Sequence, residues 1–195
     1  IARKHRLLIL EDAAQSHGGE YRGRKTGSLG DVSSFSFYGN KTITTGEGGI
    51  CLTNDEALHS KMRILRDHGM DPQRRYWHDF VGYNYRMTNL QAAVGVAQLE
   101  QLDRFVARKR EIAAFYASEF KDLADDGLVE LHPDLPWAAC TFWLYCIRVL
   151  PGENRPGRDD LIRGLTERQI ESRPFFHPIH SLPPYRGCAR DGALP

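Results

Sequence analysis

An α/β fold is predicted for this chain, and three observations predict it. A continuous apolar run, Leu7-Leu8-Ile9-Leu10, stops at the carboxylates Glu11-Asp12. That is the pattern of a buried parallel strand with acids at its C-terminal end. Around Phe35 and Phe37 polar and apolar residues alternate, as in a second strand, and that strand runs toward Lys41. After Asp125-Asp126-Gly127 the order strand, strand, helix, strand reads as a separate small α+β unit.

Taken in order, residues 18 to 30 hold five glycines with Arg22, Arg24 and Lys25, a turn region suited to a hairpin. The basic cluster there fits a solvated face better than an anion site. Gly39 and Asn40 break the strand that follows, and Gly46, Gly48 and Gly49 close a loop around Lys41. Gly49 to Thr53 is a further strand. Thr53-Asn54-Asp55-Glu56 fits a capping box, and Leu58, Met62 and Leu65 follow at helical spacing to about Arg66. His68-Gly69 ends that helix. Asp71 to Asn89 is irregular and rich in aromatic and basic residues, a loop of functional length. Thr88 to Phe120 is the longest helical pattern, and its drift in phase calls for a bend or two consecutive helices. Strands are expected near Leu128–Leu131, over Phe142–Val149 and over Glu171–Phe176, with a helix over Asp159–Arg168. This gives residues 1–87 as the remainder of a large α/β domain, 88–122 as connecting helices, and 123–195 as a small α+β domain.

Composition narrows the function classes. With 195 residues, 41% hydrophobic and 26% charged, the chain can bury a sizeable core. A net charge of +1 gives no global pull toward nucleic acid or an anionic membrane. Four cysteines, at 51, 140, 146 and 188, form no C-x-x-C and read as free thiols in a reducing, cytoplasmic compartment. No apolar run reaches the length of a membrane span, and no signal peptide is read. Ile1-Ala2-Arg3 at the start and Ala193-Leu194-Pro195 at the end look abrupt, so a fragment of a longer protein is expected.

The chemistry centres on Lys41 and Asp12. A lone lysine is ordinarily a solvated charge, and an Asp after a strand is often a turn cap. Here both sit at strand ends, where open α/β sheets bind ligands. A phosphate-binding G-x-x-x-x-G-K-[ST] loop would need glycine at 34 and 40; the chain has Ser34 and Asn40. His177 and His180 flank a proline-containing stretch without a third ligand, a poor metal site. An acid and a lysine at two strand ends suit pyridoxal 5'-phosphate. Its aldehyde bonds a lysine amine, and its ring nitrogen needs a carboxylate partner.

Four stretches in this order, E-D-A-A-Q-S-H-G, G-D-V-S-S-F-S-F-Y-G-N-K, T-G-E-G-G and G-Y-N-Y-R-M-T-N-L-Q-A-A, resemble the DegT-type sugar-nucleotide aminotransferases. The resemblance covers Leu7 to Pro195. It implies the fold of the type I pyridoxal-phosphate transferases, with the C-terminal part of the large-domain sheet and a small α+β domain. It implies that Lys41 is the Schiff-base lysine, that Asp12 pairs with the pyridine nitrogen, and that Gln15 faces the ring hydroxyl. Ser36 becomes a phosphate ligand. Asn84 becomes a residue lent to the phosphate by the neighbouring subunit, hence a homodimer with shared sites. His17, Trp77, His78, Arg86 and the Arg173–His180 segment, His180 included, fall along the sugar-nucleotide cleft. The family's N-terminal phosphate loop and ring-stacking aromatic have no match here, nor does the C-terminal end of its small domain. The implied reaction moves an amino group from an amino acid, glutamate by expectation, to C4 of a 4-keto-6-deoxy sugar nucleotide. Relatives with histidine at the lysine position dehydrate instead, and others regulate without catalysis; Lys41 favours transamination.

Overall fold

Strand β1, Leu10–Asp12, pairs in parallel with β4, Val32–Ser36, in the register Leu10↔Val32, Glu11↔Ser33, Asp12↔Ser34. β5, Gly49–Thr53, pairs antiparallel with β4 on its other side, giving a three-stranded sheet of order β1-β4-β5. These elements belong to a computed structural model that describes residues 1–153 and 155–185. A helical turn, α1 at Ala2–His5, precedes β1.

The chain returns from β1 to β4 through a hairpin of β2, Glu20–Tyr21, and β3, Arg24–Lys25. Arg22 and Gly23 are both left-handed (φ 49° and 72°), as a two-residue hairpin turn requires. A third strand, β7 at Ala138–Ala139, adds to β2 from far along the sequence. Sequence periodicity gave no sign of it, since two alanines carry no alternation. The turn back into β4 is organised by Glu11, whose carboxylate accepts the Gly27 and Leu29 amides at 2.6 and 3.0 Å.

Helix α2, Glu56–Arg66, is capped by Asp55, which accepts the Leu58 amide at 2.9 Å. The cap is thus not Thr53: its hydroxyl instead donates to the Asp31 carbonyl and accepts the Asp55 amide, tying the end of β5 to the start of β4. His68 and Gly69 turn left-handed (φ 62° and 70°) and stop the helix. The aromatic stretch that follows is irregular, as expected, until α3, Asn89–Leu99. Thr88 and Gln91 form the capping box of α3, and α4, Leu102–Glu119, follows after a break at Glu100-Gln101. The long helical pattern is therefore two helices, as its phase drift called for.

By internal packing the chain divides into two units, Ile1–Glu119 with Pro133–Tyr145, and Phe120–His132 with the described residues from Cys146 onward. In the first unit Ala13, Ile43, Val106 and Ala113 are buried. The second contains α5, Lys121–Asp125, a two-stranded pair of β6, Val129–Glu130, and β8, Arg148–Val149, and α6, Arg158–Glu167. Val129 is its buried apolar residue among those described.

Three expectations need correction. Leu7, Leu8 and Leu10 are 60%, 73% and 72% exposed, so the apolar run is not buried. β1 lies at the open edge of its sheet. The strand expected over Phe142–Val149 contracts to Arg148–Val149, because Phe142 is left-handed (φ 47°), which a strand cannot accommodate. Glu171–Phe176 forms no strand, and Phe175 and Phe176 stay exposed. Cys51, Cys140 and Cys146 carry free thiols, and Cys188 lies outside the described residues. No described helix is long and apolar enough to cross a membrane.

Candidate active site

Parallel pairing of β1 with β4 brings two sequence-distant strand ends side by side. Asp12 is opposite Ser34, the Ala13 amide donates to the Ser34 carbonyl at 2.9 Å, and β4 continues through Ser36 toward Lys41. The loop beyond β4 is knitted by its own hydroxyls. Thr44 Oγ donates to the Phe37 carbonyl at 2.9 Å and accepts the Gly46 amide at 2.9 Å, while Thr45 Oγ donates to the Glu47 carbonyl at 2.7 Å. Helix α3 holds the loop from outside: Gln91 donates to the Glu47 carbonyl at 3.2 Å, and Gln98 accepts the Thr44 amide at 3.4 Å. Gly95 lets α3 come close, since a Cβ there would stand 3.0 Å from the Thr45 methyl. Gly48 (φ 139°) takes a backbone conformation that side chains rarely adopt. In the loop itself Thr42, Ile43 and Thr45 are buried, so Lys41 stands on a fixed base.

The charges are placed for amine chemistry. The Asp12 carboxylate lies within electrostatic reach of the Lys41 amine. Burial lowers the Lys41 pKa below its ordinary value, and Asp12 raises it; burial is the larger effect. The neutral, nucleophilic amine is correspondingly more populated than on an exposed lysine. Asp12 Oδ1 also accepts the Ala14 amide at 3.0 Å, which fixes the carboxylate at the strand end.

His17 is the most deeply placed of the candidate residues, 4% exposed, with its ring centroid 5.2 Å from Phe35 and 5.9 Å from Phe37. Neither ring nitrogen has a hydrogen-bond partner, although the nearby Ser36 backbone favours the protonated ring. Burial first, and the Lys41 charge second, hold its pKa below the ordinary value. A histidine kept neutral in the folded state contributes stability that is present above its unfolded pKa. That stability is lost as pH falls through the folded value. Urea midpoints of the full chain should therefore drop between about pH 7.5 and about pH 5.5, and H17L should flatten that drop. An equal drop in both proteins would remove His17 as its source.

The other candidates occupy separate places. Gln15 is exposed one turn past Asp12, and Ser36 accepts the Tyr38 amide at 3.2 Å at the end of β4. Asn84 bridges to Asp67, and Arg86 pairs with Asp67 at 3.2 Å, both on the aromatic loop after α2. On the same loop Trp77 donates to Asp79 at 2.9 Å beneath the Arg74 guanidinium, and His78 Nδ1 lies 3.0 Å from the His68 carbonyl. Arg173 and His180 belong to the second unit, His180 in a 3₁₀ turn, Ile179–Ser181. Sequence reading missed Trp143, which was not read as part of the site at all. The Trp143 indole covers the Lys41 amine, 4.0 Å from Nζ to the ring centroid. Nothing in the local sequence marks it, since the contact spans about a hundred residues.

All 195 residues match the DegT/DnrJ/EryC1/StrS aminotransferase family. The GDP-perosamine synthase of Caulobacter vibrioides is 49% identical over 191 residues, covering 98% of this chain and 51% of that protein. The GDP-perosamine synthase of Vibrio cholerae is 45% identical over 195 residues, covering 100% and 52%. Among solved structures, DesV of S. venezuelae superposes with a TM-score of 0.82 at 35% identity, over 97% of this chain and 49% of its own. Helicobacter pylori PseC, an aminotransferase involved in the biosynthesis of pseudoaminic acid, gives 0.85 at 29% identity, over 99% and 50%. The chain spans about half the length of the curated relatives it matches. With Asp12 at the end of β1, Lys41 in the loop beyond the neighbouring β4, and the family match running the full length, the chain belongs to the DegT/DnrJ/EryC1/StrS aminotransferase family.

Proposed function

We propose that the whole protein of which these 195 residues are part, meant below by the full chain, transfers an amino group from an amino acid, glutamate foremost, to C4 of a 4-keto-6-deoxy sugar nucleotide, with pyridoxal 5'-phosphate as cofactor; the 195 residues alone are expected to be inactive. The observation that carries this reading is the Lys41 amine, its pKa lowered by burial, on the loop beyond β4 and within electrostatic reach of the Asp12 carboxylate at the end of the parallel neighbour β1. The names of the relatives from Caulobacter vibrioides and Vibrio cholerae point to GDP-perosamine as the product.

The residues present fit the cofactor. An amine of raised nucleophilicity, a fixed carboxylate and the Ser36 hydroxyl are three of the groups it needs. Ala13 beside Asp12 is buried, so the strand end that carries the carboxylate is firmly seated. When bound, the cofactor supplies an aldehyde that bonds amines and a protonated ring that accepts electron density. Asp12 holds the proton on the ring nitrogen. Gln15 orients the ring from its hydroxyl edge, and Ser36 binds the phosphate. Lys41 Nζ would hold the aldehyde carbon, and when free the same Nζ would take the proton from the donor's Cα and, with the sugar, deliver a proton to C4. His17, Trp77, His78, Arg86 and His180 are assigned to the sugar-nucleotide side. Asn84 is assigned to the phosphate in the neighbouring protomer's site, which makes the working form a homodimer.

The test is product analysis. The full chain with pyridoxal phosphate, glutamate and GDP-4-keto-6-deoxymannose should yield a nucleotide sugar aminated at C4, together with 2-oxoglutarate. Loss of oxygen at C3 instead would establish dehydration and overturn the reading, and so would the absence of any new nucleotide sugar.

A further inference from the structure

Trp143 meets the lysine loop through two contacts of different kinds. Its indole face covers the Lys41 ammonium at 4.0 Å, and its Nε1–H donates to the Asn40 carbonyl at 2.8 Å. The second contact fixes the ring plane, so the first is not a chance approach of a swinging lysine. The segment that carries the indole is itself laid along α4. Arg110 Nε donates to the Cys140 carbonyl at 3.0 Å, Lys109 Nζ donates to the Trp143 carbonyl at 3.2 Å, and Tyr116 stacks on Tyr145 at 5.2 Å. Between these anchors Phe142 takes a left-handed backbone (φ 47°), uncommon for a bulky residue, and this turn sets the direction in which Trp143 leaves the chain. Strain, three tethers and a fixed ring plane thus converge on the amine of one lysine.

We propose that Trp143 is the seat of the free Lys41 ammonium, a positioning residue that holds the lysine when it is protonated and not bonded to the cofactor. The proposal rests on Lys41 being the cofactor lysine. In amino-group transfer the lysine must leave the cofactor and later return, and between those moments a four-carbon side chain would otherwise sample many rotamers. An aromatic face attracts the ammonium without accepting a hydrogen bond from it, so it restrains the amine yet releases it when a proton is lost. A carboxylate in the same place would bind the ammonium more firmly and keep it charged.

The experiment measures acylation of Lys41 by acetic anhydride, followed by mass spectrometry on the full chain, beside the steady-state kinetics of the holoenzyme. W143L should raise the Lys41 acylation rate about threefold to tenfold and lower kcat by a similar factor, with little change in KM for the amino donor. W143F, which keeps a weaker ring but loses the Asn40 contact, should recover part of both effects. Fluorotryptophans placed at position 143 alone drain charge from the ring face at constant shape. They should raise the acylation rate stepwise with fluorine number, a series that a purely packing role would leave flat. Equal Lys41 acylation in wild type, W143L and the fluorinated proteins overturns the proposal. Borohydride reduction with pyridoxal phosphate separates the two readings. A wild-type protein that takes no stable label at Lys41 defeats the cofactor assignment, whereas normal labelling with an unresponsive Trp143 series defeats only the seat.

Discussion

Replacing Lys41 with alanine in the full chain should lower transamination by at least about 10⁴-fold, because one side chain supplies both the covalent bond and the proton transfer. K41R is the informative companion. Arginine retains a cation that can lie over Trp143, whose ring stands 4.0 Å from the lysine nitrogen, so the loop should keep its shape. Yet a guanidinium does not lose its proton in proteins and forms no bond with an aldehyde. K41R should therefore be as inactive as K41A while melting close to wild type. Borohydride-stable labelling by pyridoxal phosphate should vanish in both. Activity within about tenfold of wild type in either variant would remove Lys41 from the chemistry.

Asp12→Asn should be the next most damaging change, with turnover falling about a hundredfold or more, since a neutral amide cannot hold the ring nitrogen in its protonated form. The substitution is a clean one. Asp12 accepts the Ala14 amide at 3.0 Å, and the carbonyl of asparagine can accept it equally, so the turn after β1 survives. A second readout is independent of turnover. Asp12 raises the Lys41 pKa against the larger lowering by burial, so removing the charge lowers it further. The pH profile of Lys41 acylation should move to lower pH in D12N. Turnover within about threefold of wild type, together with an unmoved acylation profile, would separate the two groups.

Much of the fold was legible because its signals are local. Alternation around Phe35 and Phe37 marks β4, glycines bound the loop after it, and the drift of the apolar stripe between Leu90 and Tyr116 marks the break between α3 and α4. What was not legible depends on partners. The run Leu7–Leu10 has the composition of a buried strand, but burial is a property of what lies over it, and those leucines are exposed. Phe142–Val149 has good strand propensity, and tertiary anchoring of Cys140 and Trp143 to α4 overrides it. At the site, Lys41 and Asp12 stand out because each follows a strand. Trp143 does not, because its place is set by two lysine- and arginine-bearing positions of a helix some thirty residues earlier.

The antiparallel return of β5 onto β4 also orders events in time. Ser36 and Gly49 face each other across a short excursion, so this corner can close quickly, with a small entropic cost for joining its ends. The bond between the indole and Asn40 joins positions 103 apart and belongs among the late contacts of a nascent chain.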